Sequence, residues 1–206
     1  MDQPMLQYDV AYPEHLSRGL IFIKWLLAIP HLIVLALLGI GLAIVTVIAW
    51  FAILITGKYP RGMWDFSMMV LRWSARVNAY LNLQRDEYPP FGDQDYPVLF
   101  QMEYPEHLSR GLIFIKWLLV IPHLIILYVL GLLSSVVLLI AWVAILFTGK
   151  FPRGLFDFVT GVARWSNRVA VYELLLTDAY PPFSMSHEGP SASSLPAAGA
   201  PMQRNF

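Results

Sequence analysis

The sequence contains no cysteine. A chain without thiols forms no disulfide framework, offers no thiolate to a metal and carries no cysteine nucleophile. Charge is scarce as well: 14% of the residues are Asp, Glu, Lys or Arg, against about a quarter in ordinary soluble domains. The two signs cancel, 14 against 14, so no basic excess steers a nucleic acid and none is expected as a partner. No removable signal peptide is expected, because MDQPMLQYDV has neither a basic start nor a following small-residue cleavage site. The first apolar stretch is expected to stay in the chain. What the sequence does have is apolar: 57% of its 206 residues are hydrophobic and the mean hydropathy is +0.57. That balance points to a membrane protein.

The chain is one unit written twice. YPEHLSRGLIFIKWLL begins at Tyr12 and again at Tyr104, and the match runs without a gap to YPPF at Tyr88 and Tyr180. About fifty of roughly eighty aligned positions are identical. The repeats occupy residues 12–91 and 104–183. Between them, 92–103 reads as a polar linker, and 184–206 is a tail of Ser, Pro, Ala and Gly expected to be disordered.

Each repeat holds an apolar run, Leu20 to Ile55 and Leu112 to Phe147, with a single charge, Lys24 or Lys116. One crossing needs about 20 helical residues, so each run is too long for one upright helix and slightly short for two. Either a hairpin rises from Leu20 to Leu38, turns near Gly39 and Gly41 and returns over Leu42 to Ile55, or a single helix spans from His31 to Thr56 after a break at Pro30. Short cytoplasmic loops collect Lys and Arg. One crossing per repeat would invert the second copy although both copies carry the same basic flanks, whereas a hairpin returns each copy to its starting side. The expected fold is therefore an all-α membrane protein, each copy a membrane helical hairpin followed by an amphipathic interfacial helix. It would be multi-pass in a cell inner membrane, with cytoplasmic termini. The short return limb, about 21 Å as a helix, would have to thin the bilayer or be re-entrant.

Gly62 to Leu83 carries two faces at 100° per residue. Arg61, Asp65, Arg72 and Arg76 share one sector, and Trp73 lies among the apolar residues of another. The second copy repeats this with Arg153, Asp157, Arg164 and Arg168, and with Trp165. Arg on one side and rings on the other suit a headgroup zone, so these residues are candidates for binding lipid or a partner. The alternative is that the face packs against the hairpin and the Arg residues are solvated or paired.

Lys24 and His31 stand seven residues apart, as do Lys116 and His123. Ionisable groups in a membrane segment are costly and mark function by default. Two such stripes meeting at a pseudo-twofold axis would form a polar path for protons or small ions; the alternative is a snorkelling lysine and a histidine bonded within the helix packing. No enzyme pattern is present: TGKYPRG lacks the spacing of a phosphate-cradling loop, and the five histidines offer no metal-ligand spacing. No cofactor or metal is expected.

The order YPEHLSRG, IPHLI, AWFAILITGKYPRGMWDF, RWSARVNAY and YPPF resembles a bacterial membrane family known only as a domain of unknown function, whose members often carry the domain in tandem. The resemblance implies an integral membrane protein of bacterial type and supplies no activity or catalytic residue. The expected role is a non-enzymatic scaffold or anchor for lipid or for a membrane or peripheral protein, with homo-oligomers allowed; the alternative is a small transporter or channel using the Lys and His stripe.

Overall fold

A computed structural model describes residues 4–92 and 94–186. The helices are α1 (Lys24–Leu27), α2 (Ile29–Thr56), α3 (Arg61–Leu81), α4 (Lys116–Thr148) and α5 (Arg153–Glu173). A short 3-10 turn precedes α1 and α4, at Leu20–Phe22 and Leu112–Phe114. Two strands, β1 (Gln7–Val10) and β2 (Val98–Gln101), pair antiparallel with Gln7 opposite Gln101 and Val10 opposite Val98.

The apolar runs do not fold into hairpins of their own. Helix α2 passes unbroken through Gly39 and Gly41, and α4 passes through both Pro122 and Gly131. A glycine inside a helix costs only about 1 kcal/mol relative to alanine, too little to break a run in which the helix already satisfies every backbone group. Gly41 instead admits a ring: a Cβ there would lie 3.3 Å from Cζ of Phe66. The chain reverses further on, where Gly57 and Gly149 take left-handed φ values of 72° and 70° and Pro60 and Pro152 open the next helices.

The amphipathic helix is thus the return limb. Helix α3 runs back along α2, with Ser67 near Tyr59, Phe66 at Gly41 and Trp73 at His31, and α5 repeats this on α4. The expected interfacial helix is mostly interior because its second face is covered too: α3 contacts β2 and α5 contacts β1. The linker is not a free tether, since it supplies β2. The predicted disordered tail lies outside the described residues from position 187 onward.

The two repeats interlock. Each α-helical run is followed by a glycine whose carbonyl accepts from the lead-in of the other copy, Leu108 N–H to Gly57 and Leu16 N–H to Gly149, both at 2.8 Å. Tyr12 Oη donates to the Phe151 carbonyl at 2.5 Å, and Tyr104 does the same to Tyr59. Phe22 meets Trp142 edge-on and Phe114 meets Trp50. The start of each apolar helix therefore lies beside the end of the other, so α2 and α4 run antiparallel. A shared core forms there around Ala49, Ile53, Ala141 and Ile145 with Tyr59 and Phe151, all fully buried.

Candidate functional site

Two equivalent knots tie the end of each amphipathic helix to the start of its apolar partner. After α3 the chain turns through Leu83 at φ 60°, and after α5 through Leu175 at φ 65°. Left-handed backbone is costly for leucine; burial of both side chains holds it in place. The turn aims Asp86 and Asp178 back at the lysines. Lys24 Nζ lies 2.8 Å from Asp86 and donates to the Arg85 carbonyl at 2.6 Å. Lys116 pairs with Asp178 at 2.7 Å and donates to the Thr177 carbonyl at 2.7 Å. The Asp86 and Asp178 carboxylates also accept the backbone N–H of Ser17 and Ser109. Beneath each ammonium lies a tyrosine ring, Tyr80 or Tyr172, 5.0 Å away. Burial, and then the Asp178 charge and Tyr180, push the Tyr172 hydroxyl up to about 12; Tyr80 is raised for the same reasons by burial, Asp86 and Tyr88.

Two turns further along, His31 and His123 are fully buried. The indole N–H of Trp73 donates to His31 Nδ1 at 3.1 Å, and that of Trp165 to His123 Nδ1 at 3.0 Å. An accepting Nδ1 places the neutral ring's proton on Nε2. Phe91 stacks on His31 at 4.1 Å and Phe183 on His123 at 3.9 Å, with Tyr88 and Tyr180 alongside. The Nε2 of His123 is buried without a hydrogen-bond partner, while His31 has the Pro89 backbone beside it. The Lys and His stripe is thus brought together within each repeat, where every lysine has its own carboxylate.

The arginines divide into two groups. Arg61 and Arg153 remain about two-thirds exposed, paired with Asp65 and Asp157 at 3.3 and 3.5 Å. Each guanidinium covers a tyrosine of the other repeat, Tyr104 at 4.6 Å and Tyr12 at 4.4 Å. Arg76, Arg164 and Arg168 are interior and serve the backbone. Arg164 donates to the Tyr8 and Met185 carbonyls at 2.8 and 2.7 Å and pairs with Asp9 at 2.9 Å. Arg72 donates to the Phe100 carbonyl at 3.2 Å, Arg76 to Gly92 at 2.8 Å and Arg168 to Ser186 at 3.2 Å. Trp73 and Trp165 face the histidines, not a headgroup. Among the described residues, no three His, Asp or Glu side chains are grouped to hold a metal ion.

The sequence reading missed Asp86, Asp178, Phe91 and Phe183. For the aspartates the signal is the segment before YPPF, where RDE in one copy faces TDA in the other and the aspartate alone is retained; for the phenylalanines it is the repeated YPPF itself.

A family model described as a domain of unknown function, DUF4389, matches residues 18–92 and again 110–185. The chain belongs to the DUF4389 family. Both copies of the DUF4389 domain contain a complete lysine, histidine, tryptophan and aspartate set within the matched residues. No curated protein and no solved structure matches the chain.

Proposed function

We propose that this tandem DUF4389 protein is a membrane-embedded scaffold or anchor, non-enzymatic, that organises lipid or a membrane or peripheral partner in a bacterial inner membrane with its termini cytoplasmic. One observation carries the reading. The outward halves of α2 and α4 are apolar and uncovered from end to end, with Ile33, Ile40, Val47 and Ile55 exposed along one and Ile125, Leu132, Leu139 and Phe147 along the other. Helices of 28 and 33 residues with no exposed charge cannot stay in water without aggregating; acyl chains supply the missing contact. Two exposed tryptophans, Trp25 and Trp117, stand at the helix starts, where amphipathic rings favour an interface. Of the arginines on the amphipathic helices, Arg61 and Arg153 are the exposed pair and can meet anionic headgroups.

The test is recovery of the full chain after alkaline carbonate extraction of membranes, together with flotation on vesicles of phosphatidylethanolamine and phosphatidylglycerol. The protein should stay with the membrane, and Arg61→Glu with Arg153→Glu should weaken flotation only on vesicles containing phosphatidylglycerol. Release into the soluble fraction would count against the reading.

A small transporter or channel is the second reading, favoured by the unpartnered Nε2 of the buried His123. Against it stands the local pairing of Lys24 with Asp86 and of Lys116 with Asp178. Proton flux into proteoliposomes that disappears in His31→Gln with His123→Gln would favour transport.

A further inference from the structure

We propose that α2 and α4 lie in the plane of the membrane, embedded in the acyl chains of one leaflet, and do not cross the bilayer. The inference rests on the membrane-embedded reading and concerns how the protein sits there.

Both helices are long enough to span, at about 42 and 50 Å, but neither can be stood upright without dragging polar chain through the hydrocarbon. The Lys24 to Asp86 pair fixes residue 86 at the start of α2, and the Leu108 to Gly57 bond fixes residue 108 at its end. The segment between them therefore travels the full length of α2, on the side of α3 where β2 packs. The N-terminal segment does the same along α4. Thr177 Oγ1 donates to the Pro4 carbonyl near the start of α4, and Tyr12 reaches Phe151 past its end. Midway between the ends lies a cleft of about 530 Å³ lined in part by Gln7, Arg72, Gln101 and Glu103. An upright molecule would set that cleft at membrane depth on a surface facing lipid, with the buried Arg164 to Asp9 pair at the same depth inside. Charged groups and irregular backbone exposed to hydrocarbon are what spanning proteins avoid.

Laid flat, every group finds its medium. The apolar halves of α2 and α4 form one face, α3 and α5 the middle, and the β1 and β2 ribbon with its polar cleft the water side. The basic flanks of both copies then lie on one side without any inversion of the second repeat, which satisfies the charge bias that single crossings violate. In-plane elements bury an apolar face about 5–10 Å deep beneath a polar one; here the layers packed on α2 and α4, with α3, α5 and the ribbon, supply the polar side that the two apolar helices themselves lack. Exposed Phe22, Ile23, Phe114 and Ile115 extend the face past both helix starts.

The absence of cysteine makes the orientation directly measurable with single-cysteine variants of the full chain. Glu14 and Glu106 are exposed and sit at opposite ends of the slab. Glu14→Cys and Glu106→Cys should react with a membrane-impermeant maleimide from the same side, both in spheroplasts or both in inverted vesicles. Nitroxides at Ile33→Cys, Ile40→Cys, Val47→Cys and Ile55→Cys, in vesicles of phosphatidylethanolamine and phosphatidylglycerol, should show similar ratios of oxygen to nickel-chelate collision. Reaction of the two ends from opposite sides, or a ratio that peaks at Ile40 and falls toward Ile55, overturns the in-plane arrangement and leaves membrane embedding standing. Free nickel access at all four positions overturns both.

Discussion

Leu16 donates its backbone N–H to the Gly149 carbonyl at 2.8 Å, so the lead-in of the first repeat closes the apolar helix of the second. Leu108 returns the bond to Gly57 at the same distance. Each helix end would otherwise present unsatisfied carbonyls; here the partner repeat supplies a donor, and Arg18 and Arg110 bring a cation close to Gly149 and Gly57, where the helix dipole favours one. Neither repeat is complete alone.

The two glycines at these closures need their left-handed backbone. A Cβ on Gly149 would meet nothing nearer than 3.5 Å, so Gly149→Ala is penalised by conformation, not by collision, at about 1–2 kcal/mol. Gly57→Ala should cost the same. Gly19→Ala, at φ −86° with open space around it, should leave thermal unfolding in detergent unchanged.

The buried lysines should be unequal in their effect. Lys116 is fully buried against an Asp178 that is 10% exposed, whereas Asp86 beside Lys24 is 25% exposed. Removing one member of a buried pair strands the other, at about 3–5 kcal/mol. Lys116→Met should approach that range, Lys24→Met should fall below it, and Lys116→Met with Asp178→Asn should recover part of the loss. Denaturant unfolding in detergent measures all three.

Much of this architecture was legible in the residues, and the part that was not has a physical reason. The duplication, the two apolar runs and the helix ends at Thr56-Gly57 and Thr148-Gly149 follow from local pattern, as does the amphipathic period after Pro60. A hairpin at Gly39 and Gly41 follows from run length set against bilayer thickness, which presumes that the runs stand upright. Glycine propensity is too weak to decide a helix break once backbone bonding is satisfied. Among the candidate site residues, Arg61 and Arg153 stand exposed while Arg76, Arg164 and Arg168 are interior. No helical wheel separates these groups, because the second set bonds to chain from outside the repeats: Arg164 to strand β1, Arg76 to Gly92 and Arg168 to Ser186. Lys24 and His31 do share a face, but their partners Asp86 and Trp73 are distant in sequence and could be inferred only from retention in both copies.

The second repeat should depend strongly on its mid-helix arginine. Arg164 is buried, pairs with Asp9 and donates to the Tyr8 and Met185 carbonyls. Hydrogen bonds to charged groups contribute about 1.5–3 kcal/mol against about 1 kcal/mol for neutral ones. Arg164→Met should lower stability by about 1.5–3 kcal/mol in thermal melts.

Alkaline pH should unlock the knots. Tyr172 has its hydroxyl raised from 10.0 to about 12, so the folded state holds that proton more tightly than the unfolded chain. The associated stability is present in full below pH 10 and declines as pH climbs toward 12. Tyrosinate absorbance followed against pH should show a late cooperative step coinciding with loss of helical circular dichroism, and Tyr172→Phe should diminish the linkage.

Contact between the exposed apolar face and acyl chains is the centre of the account, and tryptophan fluorescence in vesicles of brominated phospholipid reads it most directly. Trp25 and Trp117 are exposed beside that face, while Trp73 and Trp165 are buried against histidines. Emission should be quenched by bromine on the acyl chains, and the quenchable part should fall sharply in Trp25→Phe with Trp117→Phe but not in a Trp73→Phe variant that remains folded. Emission from the folded wild-type chain that is indifferent to brominated acyl chains would contradict the account.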